Sequence, residues 1–428
     1  MEIKAIHDAF LTCSGISTDT RKIQPKSMFV AIKGERFDAN TFAAEALEKG
    51  ASYVVIDNKD YYIDPRTILV RDSLEALQEL ARYHRNYLKL PIIALTGSNG
   101  KTTTKELIHA VLKQKFNAKA TVGNLNNHIG VPLTLLSFTN ETEIGIVEMG
   151  ANHQKEIEFL CTIATPDYGY ITNFGKAHLE GFGGTEGVIK GKSELYGYLG
   201  ANNKMAFINL NDAIQAEKGQ SLRRYEFGVQ QPKAAVNIAQ VSAKPFVEVS
   251  FDGVTIASKL IGLYNASNIN AAIAIGKYFD ISNEKIKQAI ESYTPENNRS
   301  QILHKGGNEI ILDAYNANPS SMAVAIENFL QLDKPNKIAI LGDMFELGSE
   351  SAAEHKALVT SVADVDDVDF IFIGREFSNN SLEREHFTFY ESFDALAEFL
   401  DAHPLSGKTM LIKGSRGMAL ERVLDHLT

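Results

Sequence analysis

Short runs of apolar residues alternate with amphipathic segments along most of the chain, and this alternation predicts an α/β protein. Near the N-terminus the runs MFVAI and YVVI predict strands, and the segments FAAEALEKG and LEALQELARYHRNYL predict helices. From about residue 300 the strand-like segments EIILDAY, KIAILGD, DFIFIG and TMLIK alternate with helical patterns around 321–331, 351–363, 392–402 and 418–427. Four such alternations predict a doubly wound parallel sheet.

The central part of the chain has a larger pattern of the same kind. It opens with the apolar run IIALT after Pro91, and the following helix carries Leu107, Ile108, Val111 and Leu112 on one face. Between about 235 and 262, alternating residues around Asp252-Gly253 predict a β-hairpin. Because 428 residues exceed one ordinary core, we expect three domains, at 1–89, 90–298 and 299–428.

Composition narrows the class of protein. A net charge of -10 disfavours a non-specific surface for nucleic acid or for an anionic membrane. Only Cys13 and Cys161 are present, without metal or redox spacing, which disfavours a disulfide framework or a zinc site. No apolar run approaches ~20 residues and the N-terminus lacks a basic-then-apolar signal pattern, so we expect a cytoplasmic protein without membrane insertion.

The stretch PIIALTGSNGKTTTKE carries the strongest chemical signal. A buried strand, a glycine-bounded turn and a helix start would aim backbone N–H groups and the Lys101 ammonium at a phosphate. Thr102 would then offer a hydroxyl to Mg²⁺. Leu95 stands where the full P-loop pattern has its first glycine, so the loop is a shortened version. The alternative is a strand-to-helix turn without a ligand, but Gly-Lys-Thr after an apolar strand favours the phosphate.

Other polar residues lie where ligands bind α/β sheets. Glu148 ends the apolar run IGIVEMG, so it is a candidate second ligand for a phosphate-bound Mg²⁺ or, alternatively, a helix cap. The segment GNLNNHIG offers amides to a sugar or peptide, although an Asn-rich turn explains it equally. Asn268 could cap a helix or hydrogen-bond an adenine edge.

The remaining candidates are weaker on the residues alone. His178 is a lone loop histidine, and Lys190 and Lys192 lie on the next predicted helix. A bare ammonium repels Mg²⁺ and could serve only if it were neutralised or converted into a carbamate, so solvated lysines are favoured. The segment STDTR is typical of a solvated turn.

Taken together, these segments resemble the ATP-dependent Mur ligases of peptidoglycan synthesis. The resemblance implies a UDP-substrate domain, a central ATPase domain and a C-terminal Rossmann-like domain. It implies an enzyme that uses ATP to join D-alanyl-D-alanine to UDP-N-acetylmuramoyl-tripeptide through an acyl phosphate, and we expect a monomer. The matching segments cover nearly the whole chain: STDTR, KGERFD, TGSNGKTTTKE, GNLNNHIGVPLTLL, VEMGANHQKEI, NFGKAHLEGFG, NASNINAA, LDAYNANPSSM, LGDMFELG and LIKGSRG.

The resemblance also implies a role for each matching residue. Two Mg²⁺ ions would be held by Thr102, Glu148, His178 and a carbamylated Lys192, with Lys190 as the nearby alternative to Lys192. Lys101 would act in catalysis with Glu148, His178 and Lys192. ATP would contact Gly97, Ser98, Asn99, Gly100, Lys101, Thr102, Thr103, Asn268, Arg299, Asp313, Tyr315 and Asn316. The other substrates would contact Ser17, Asp19, Arg21, Asn126, Asn127, Asp343, Lys413 and Arg416.

Two departures from the family pattern affect the substrate residues. Phe37-Asp38-Ala39-Asn40 stands where relatives often have Phe-Asp-Gly-His, and His128 stands where an acidic residue is common. Two alternatives stay open: another amide ligase of the superfamily, and an ATP-switched binding protein. The metal-binding set disfavours the second, because a binding module does not need it.

Overall fold

The computed structural model describes residues 2–35, 37–296 and 298–427, and within them the strands form three main sheets, each covered by helices. This confirms the predicted three-domain α/β architecture; the domain limits at 89/90 and 298/299 stay a prediction. In the described ranges, no helix has the length and apolar character needed to span a bilayer.

The first unit is a small parallel sheet in the order β1-β2-β5-β6, with a separate β3–β4 hairpin. Its predicted strands at MFV and YVVI are confirmed, and both are almost fully buried. Asp72 begins the last helix by accepting a hydrogen bond from the Glu75 N–H at 2.8 Å. The elements are α1 Ile3–Phe10, β1 Ile16–Ser17, β2 Met28–Val30, β3 Lys33–Gly34, β4 Phe37–Asp38, α2 Ala43–Glu48, β5 Tyr53–Ile56, β6 Thr67–Leu69 and α3 Ser73–Leu88.

The second unit has its sheet in the order β15-β14-β13-β12-β11-β10-β7-β9-β8. Strand β7 lies between β10 and β9, so the carboxyl ends of three parallel strands meet beside the predicted phosphate-binding turn at residues 97–102, which we call the phosphate loop. The predicted hairpin at Asp252-Gly253 joins β14 to β15, and both turn residues have positive φ. The elements are β7 Ile92–Thr96, α4 Lys101–Leu112, β8 Ala118–Ala120, α5 Gly130–Leu136, β9 Ile144–Glu148, α6 Glu156–Ala164, β10 Tyr168–Ile171, α7 Leu179–Phe182, α8 Thr185–Ala201, β11 Met205–Asn209, α9 Ala213–Lys218, β12 Arg223–Val229, β13 Val236–Ala243, β14 Phe246–Phe251, β15 Val254–Ile261, α10 Ala266–Tyr278 and α11 Asn283–Ser292.

The third unit has the order β16-β17-β21-β18-β19-β20, and every pairing except β16–β17 is parallel. The predicted doubly wound sheet is therefore confirmed. The segment predicted to be helical around 418–427 is helical over Leu420–His426, where it takes the 3₁₀ form after the left-handed Ala419. The elements are β16 Gln301–Lys305, β17 Asn308–Asp313, α12 Pro319–Leu330, β18 Lys337–Gly342, α13 Ser351–Ser361, β19 Val368–Ile373, α14 Arg375–Asn379, β20 Phe387–Tyr390, α15 Phe393–Ala402 and β21 Thr409–Lys413.

The first two units are joined by a largely buried ion pair. Arg85 near the end of α3 donates to the Asp167 carboxylate at 2.7 Å and to the Ala164 and Thr165 carbonyls at 3.2 and 3.1 Å. Asp167 also accepts from the N–H of Ile92, the first residue of β7. The strand that leads into the phosphate loop is thus anchored at its start.

Candidate active site

The phosphate loop is packed so closely that two of its positions require glycine. Gly97 and Gly100 have φ of 144° and 75°, and a Cβ on Gly100 would lie 2.6 Å from Asn268 Oδ1. The Thr172 hydroxyl donates to the Asn99 carbonyl at 2.6 Å, and the Ser98 hydroxyl donates to the Gly175 carbonyl at 2.6 Å. The loop is therefore held by the residues that follow β10.

Lys101 and Thr102 begin α4, and both residues line the cavity that lies between the second and third units. The Lys101 ammonium donates to the Gly97 and Ser98 carbonyls at 2.7 and 3.1 Å. Burial lowers the pKa of this ammonium, and the nearby Glu148 carboxylate opposes the shift. The cation is therefore held by carbonyl groups of its own loop.

Glu148 ends β9 next to the phosphate loop and is almost fully buried. Its Oε2 accepts from the Thr102 hydroxyl at 2.9 Å, and its Oε1 accepts from Asn126 Nδ2 at 2.8 Å. A hydroxyl and a carboxylate are ligands that Mg²⁺ prefers, so this pair fits the ion. Among the described residues no group of three or more His, Cys, Asp or Glu side chains could hold a metal. The fit therefore depends on this pair and on oxygen atoms of a bound phosphate.

His178 lies in the same cavity and is contacted by the third unit. Its backbone is left-handed, with φ of 53°, and it precedes α7. The imidazole Nδ1 pairs with the Glu346 carboxylate, whose pKa is lowered by this hydrogen bond. The other ring nitrogen, Nε2, is then the one that would bind a metal ion.

Lys192 and Lys190 lie on different sides of α8, as their two-residue separation requires. Lys190 is exposed, whereas Lys192 is fully buried, with its ammonium 4.8 Å from the Phe182 ring centroid and 3.0 Å from the Ala151 carbonyl. Burial, with the nearby Lys101 charge, holds the pKa of Lys192 well below its usual value. Lys192 lies behind the cavity wall at Ala151. The residues alone favoured solvated lysines at both positions, and the structure agrees with this for Lys190 but not for Lys192.

Asn268 is buried against the phosphate loop. Its Oδ1 accepts from the Thr104 hydroxyl at 3.0 Å, and its Nδ2 donates to Asn265 Oδ1 at 2.8 Å. The side chain thus supports the loop, and its contact with adenine stays a prediction.

The third unit contributes a charged wall to the cavity. The Arg299 guanidinium stacks 3.6 Å from the Tyr315 ring centroid, and its buried Nε has no protein partner among the described residues. Asp313 accepts from the Lys413 ammonium at 2.6 Å, and Lys413 also donates to the Asn316 carbonyl at 3.1 Å.

Predicted substrate residues are found in three different places. Asn126 and Asn127 line the cavity, where Asn127 also caps α5 by accepting from the Gly130 N–H at 2.8 Å. Ser17, Asp19 and Arg21 lie in the first unit, outside that cavity. Arg21 donates to Asp19 at 2.9 and 2.8 Å, and these bonds lower the pKa of Asp19 to about 2.

Two of the predicted substrate residues in the third unit do not line this cavity. Asp343 accepts from the Glu376 and Phe377 N–H groups at 3.1 and 3.0 Å, so it caps α14. Burial raises the pKa of its carboxyl. Arg416 is exposed and pairs with Glu421 at 2.8 Å.

The two departures from the expected pattern are also located. Asn40 is fully buried and donates to both Asp38 and Asp57 at 2.7 Å, so it braces the first unit. His128 is exposed at the cavity. Arg36, within the KGERFD segment, lies outside the described residues.

Sequence reasoning missed residues that join the elements around the phosphate loop. Asn173 accepts from the Asn99 N–H at 3.1 Å and donates to the Asn99 carbonyl at 3.0 Å. Asn318 donates to Asn99 Oδ1 at 2.7 Å from the third unit. Their positions after strands β10 and β17 were a usable signal, because ligands bind at the carboxyl ends of parallel strands.

These side chains surround one cavity of about 780 Å³ between the second and third units. Its walls combine the phosphate loop, the carboxyl ends of β7, β9 and β10, and the start of α12. The predicted site residues that line it are Ser98, Asn99, Gly100, Lys101, Thr102, Thr103, Asn126, Asn127, Glu148, His178, Asn268, Arg299, Asp313, Tyr315, Asn316 and Lys413.

Comparison with known proteins agrees with this arrangement. Family models match residues 12–85 (Mur ligase family, catalytic domain), 95–276 (Mur ligase middle domain) and 298–416 (Mur ligase, glutamate ligase domain). The UDP-N-acetylmuramoyl-tripeptide–D-alanyl-D-alanine ligase of Bacillus subtilis is 34% identical over 96% of this chain and 93% of its own length. The chain belongs to the Mur ligase family.

Other Mur ligases are similar over the whole length. The ligase of the same name from Escherichia coli is 33% identical, over 99% of this chain and 95% of its own. The crystal structure of MurF from Acinetobacter baumannii has a TM-score of 0.87 at 29% identity, covering 99% of this chain and 98% of that one. MurF ligase from Thermotoga maritima in complex with ADP has a TM-score of 0.84 at 27% identity, covering 97% of each.

Proposed function

We propose that this Mur ligase joins D-alanyl-D-alanine to UDP-N-acetylmuramoyl-tripeptide with ATP, giving UDP-muramoyl-pentapeptide, ADP and phosphate. The observation that carries the proposal is near full-length identity of 33–34% to two ligases named for this reaction. The phosphate loop beside Glu148 supports the proposal, because this arrangement suits the phosphates of a nucleoside triphosphate.

The chemistry begins with a poor electrophile, the terminal carboxylate of the tripeptide. Transfer of the ATP γ-phosphoryl group to this carboxylate gives an acyl phosphate and ADP. The dipeptide amine then attacks the acyl carbon, loses a proton and expels phosphate. Lys101 and the loop amides would hold the β- and γ-phosphates and stabilise the charge that develops on them. The protein side chains therefore need only bind and orient the substrates and exclude water from the acyl phosphate.

Magnesium fits the Thr102–Glu148 pair, and when bound it neutralises phosphate charge. His178 and Lys192 would serve a second ion. The buried position of Lys192, and not the exposed one of Lys190, supports carbamylation at Lys192, since the modification turns a repelling cation into an oxygen-bearing anion.

Other residues would recognise the rest of the substrates. We assign Asn268, Arg299, Asp313, Tyr315 and Asn316 to the nucleotide. Asn126 and Asn127 would contact the muramoyl-peptide, and Lys413 the incoming dipeptide. Ser17, Asp19 and Arg21 would bind the uridine diphosphate, which requires the long substrate to extend from the cavity to the first unit. We propose that the protein acts as a monomer.

The test is phosphate release by the purified protein with Mg-ATP and UDP-muramoyl-tripeptide, followed by mass spectrometry of the products. Separate reactions contain D-alanyl-D-alanine or other amines, and the tripeptide carries lysine or diaminopimelate at its third position. Dipeptide-dependent release with the pentapeptide mass is expected. Release with a different amine alone would assign a sister amide ligase instead.

A further inference from the structure

Asn318 of the third unit forms a direct hydrogen bond to the phosphate loop. Its Nδ2 donates to Asn99 Oδ1 at 2.7 Å, and the residue is 8% exposed. The two asparagines are 219 positions apart, so the bond exists only when the third unit is docked. None of the roles assigned above uses this bond.

Both asparagines are fixed by other bonds. Asn318 Oδ1 accepts from the Ser321 N–H at 2.9 Å, and the Asn318 N–H donates to the Ser321 hydroxyl at 3.0 Å, which caps α12. On the other side, Thr172 and Asn173 donate to the Asn99 carbonyl at 2.6 and 3.0 Å. A bond between two fixed groups transmits the position of α12 to the phosphate loop.

Gly175 lies beside this bond, between Asn99 of the second unit and Ser320 of the third. A Cβ on Gly175 would lie 2.9 Å from Asn99 Nδ2 and 3.1 Å from the Ser320 hydroxyl. The Lys176 N–H donates to that hydroxyl at 2.8 Å. The start of α12 is therefore seated directly on the loop that supports Asn99.

We propose that Asn318 is a positioning residue that orients the phosphate loop for phosphoryl transfer when the third unit docks. The proposal depends on the proposed ligase function. ATP can reach the phosphate loop of the second unit without this bond, whereas the proposed reaction also uses the third unit, where Lys413 would hold the dipeptide. Loss of the bond therefore lowers the rate of turnover and leaves the apparent affinity for ATP nearly unchanged.

The test separates the bond from the helix cap. In Asn318→Ser the shorter side chain still caps α12 but does not reach Asn99. We expect kcat to fall roughly three- to tenfold, the effect of one lost hydrogen bond, with KM for ATP within about twofold of wild type and an unchanged unfolding midpoint.

Glu354→Ala provides a matched control. It removes the Lys176–Glu354 ion pair, at 2.5 Å, between the same two units without touching the phosphate loop. We expect its kcat to stay within about twofold of wild type, as for a partly exposed ion pair. An equal loss in this variant would overturn the proposal, because docking alone would then explain the effect.

Double substitution adds a second criterion. Asn99→Ala with Asn318→Ser should be no slower than the slower single variant if the two side chains act through one bond, and additive losses would contradict that. If Asn318→Ser is unstable, Gly175→Ala, which inserts a methyl group between the units, must lower kcat in the same way; unchanged kcat there overturns the proposal. Wild type without dipeptide-dependent release would refute the ligase function itself, whereas an active wild type with an equally active Asn318→Ser refutes only the positioning role.

Discussion

Replacing Lys192 by methionine tests the role of the one lysine of α8 that is buried beside the active site. Met keeps most of the buried hydrocarbon stem and removes the amine that donates to the Ala151 carbonyl at 3.0 Å. Lys190→Met is the matched control, since Lys190 is exposed on the same helix. We expect Lys192→Met to lose most of its ligase activity and Lys190→Met to keep it.

The magnitude follows from charge and burial. A unit charge about 4 Å from another at an effective dielectric of about 20 interacts by about 4 kcal/mol, so loss of an anionic carbamate beside a metal should lower kcat roughly 10²- to 10³-fold. Stability should change much less. The substitution removes one hydrogen bond, which stabilises the folded state by about 1 kcal/mol. It also removes a buried amine whose charged form is unfavourable there, and this offsets part of the loss.

The assay compares dipeptide-dependent phosphate release and urea unfolding for wild type and both variants. A separate Lys192→Ala variant leaves space beside Ala151, and short carboxylates such as acetate should restore at least part of its activity by replacing the carbamate. Activity of Lys192→Met within about threefold of wild type would refute the reasoning. Equal losses in Lys190→Met and Lys192→Met would refute it as well.

Three further predictions address the phosphate loop, the packing of α8 and the first unit. Lys101→Met should lower kcat by roughly 10³-fold, because it removes the cation at the phosphates, and phosphate release within tenfold of wild type would contradict this. Gly187→Ala should destabilise the protein to urea by about 1–3 kcal/mol, because its Cβ would overlap the carbonyl oxygen at the end of α7, whereas Gly197→Ala in the same helix meets nothing within 4 Å and should be neutral or stabilising. Burial lowers the folded-state pKa of His7 and His84, whose ring nitrogens lie 3.0 Å apart, so the unfolded chain binds more protons below its histidine pKa of about 6.5. The urea concentration at the midpoint of unfolding should therefore fall as pH decreases from about 7 to about 5.5, and His84→Gln should make this dependence weaker. If wild type and His84→Gln show parallel pH profiles, the histidine pair is not the source of the dependence.

The sequence by itself determined the features that depend on local pattern. Alternating apolar runs and helical segments predicted several strands in each of the three units, and the Gly-Lys-Thr turn predicted the phosphate loop with Thr102. Glu148 was predicted at the end of a buried strand, and the structure brings it to 2.9 Å from the Thr102 hydroxyl. These predictions succeed because parallel strands bring their carboxyl ends to one edge, whatever the details of packing.

Only the tertiary structure decided which side chains face the site and what they contact. It buried Lys192 and exposed Lys190, it used Asp343 to cap α14, and it joined Asn318 to Asn99 across 219 positions. It also gave the helical segment near the C-terminus the 3₁₀ form, which the pattern did not specify. Periodicity describes one element at a time, whereas burial and hydrogen-bond partners depend on how elements distant in sequence pack together, so these features could not be obtained from the sequence alone.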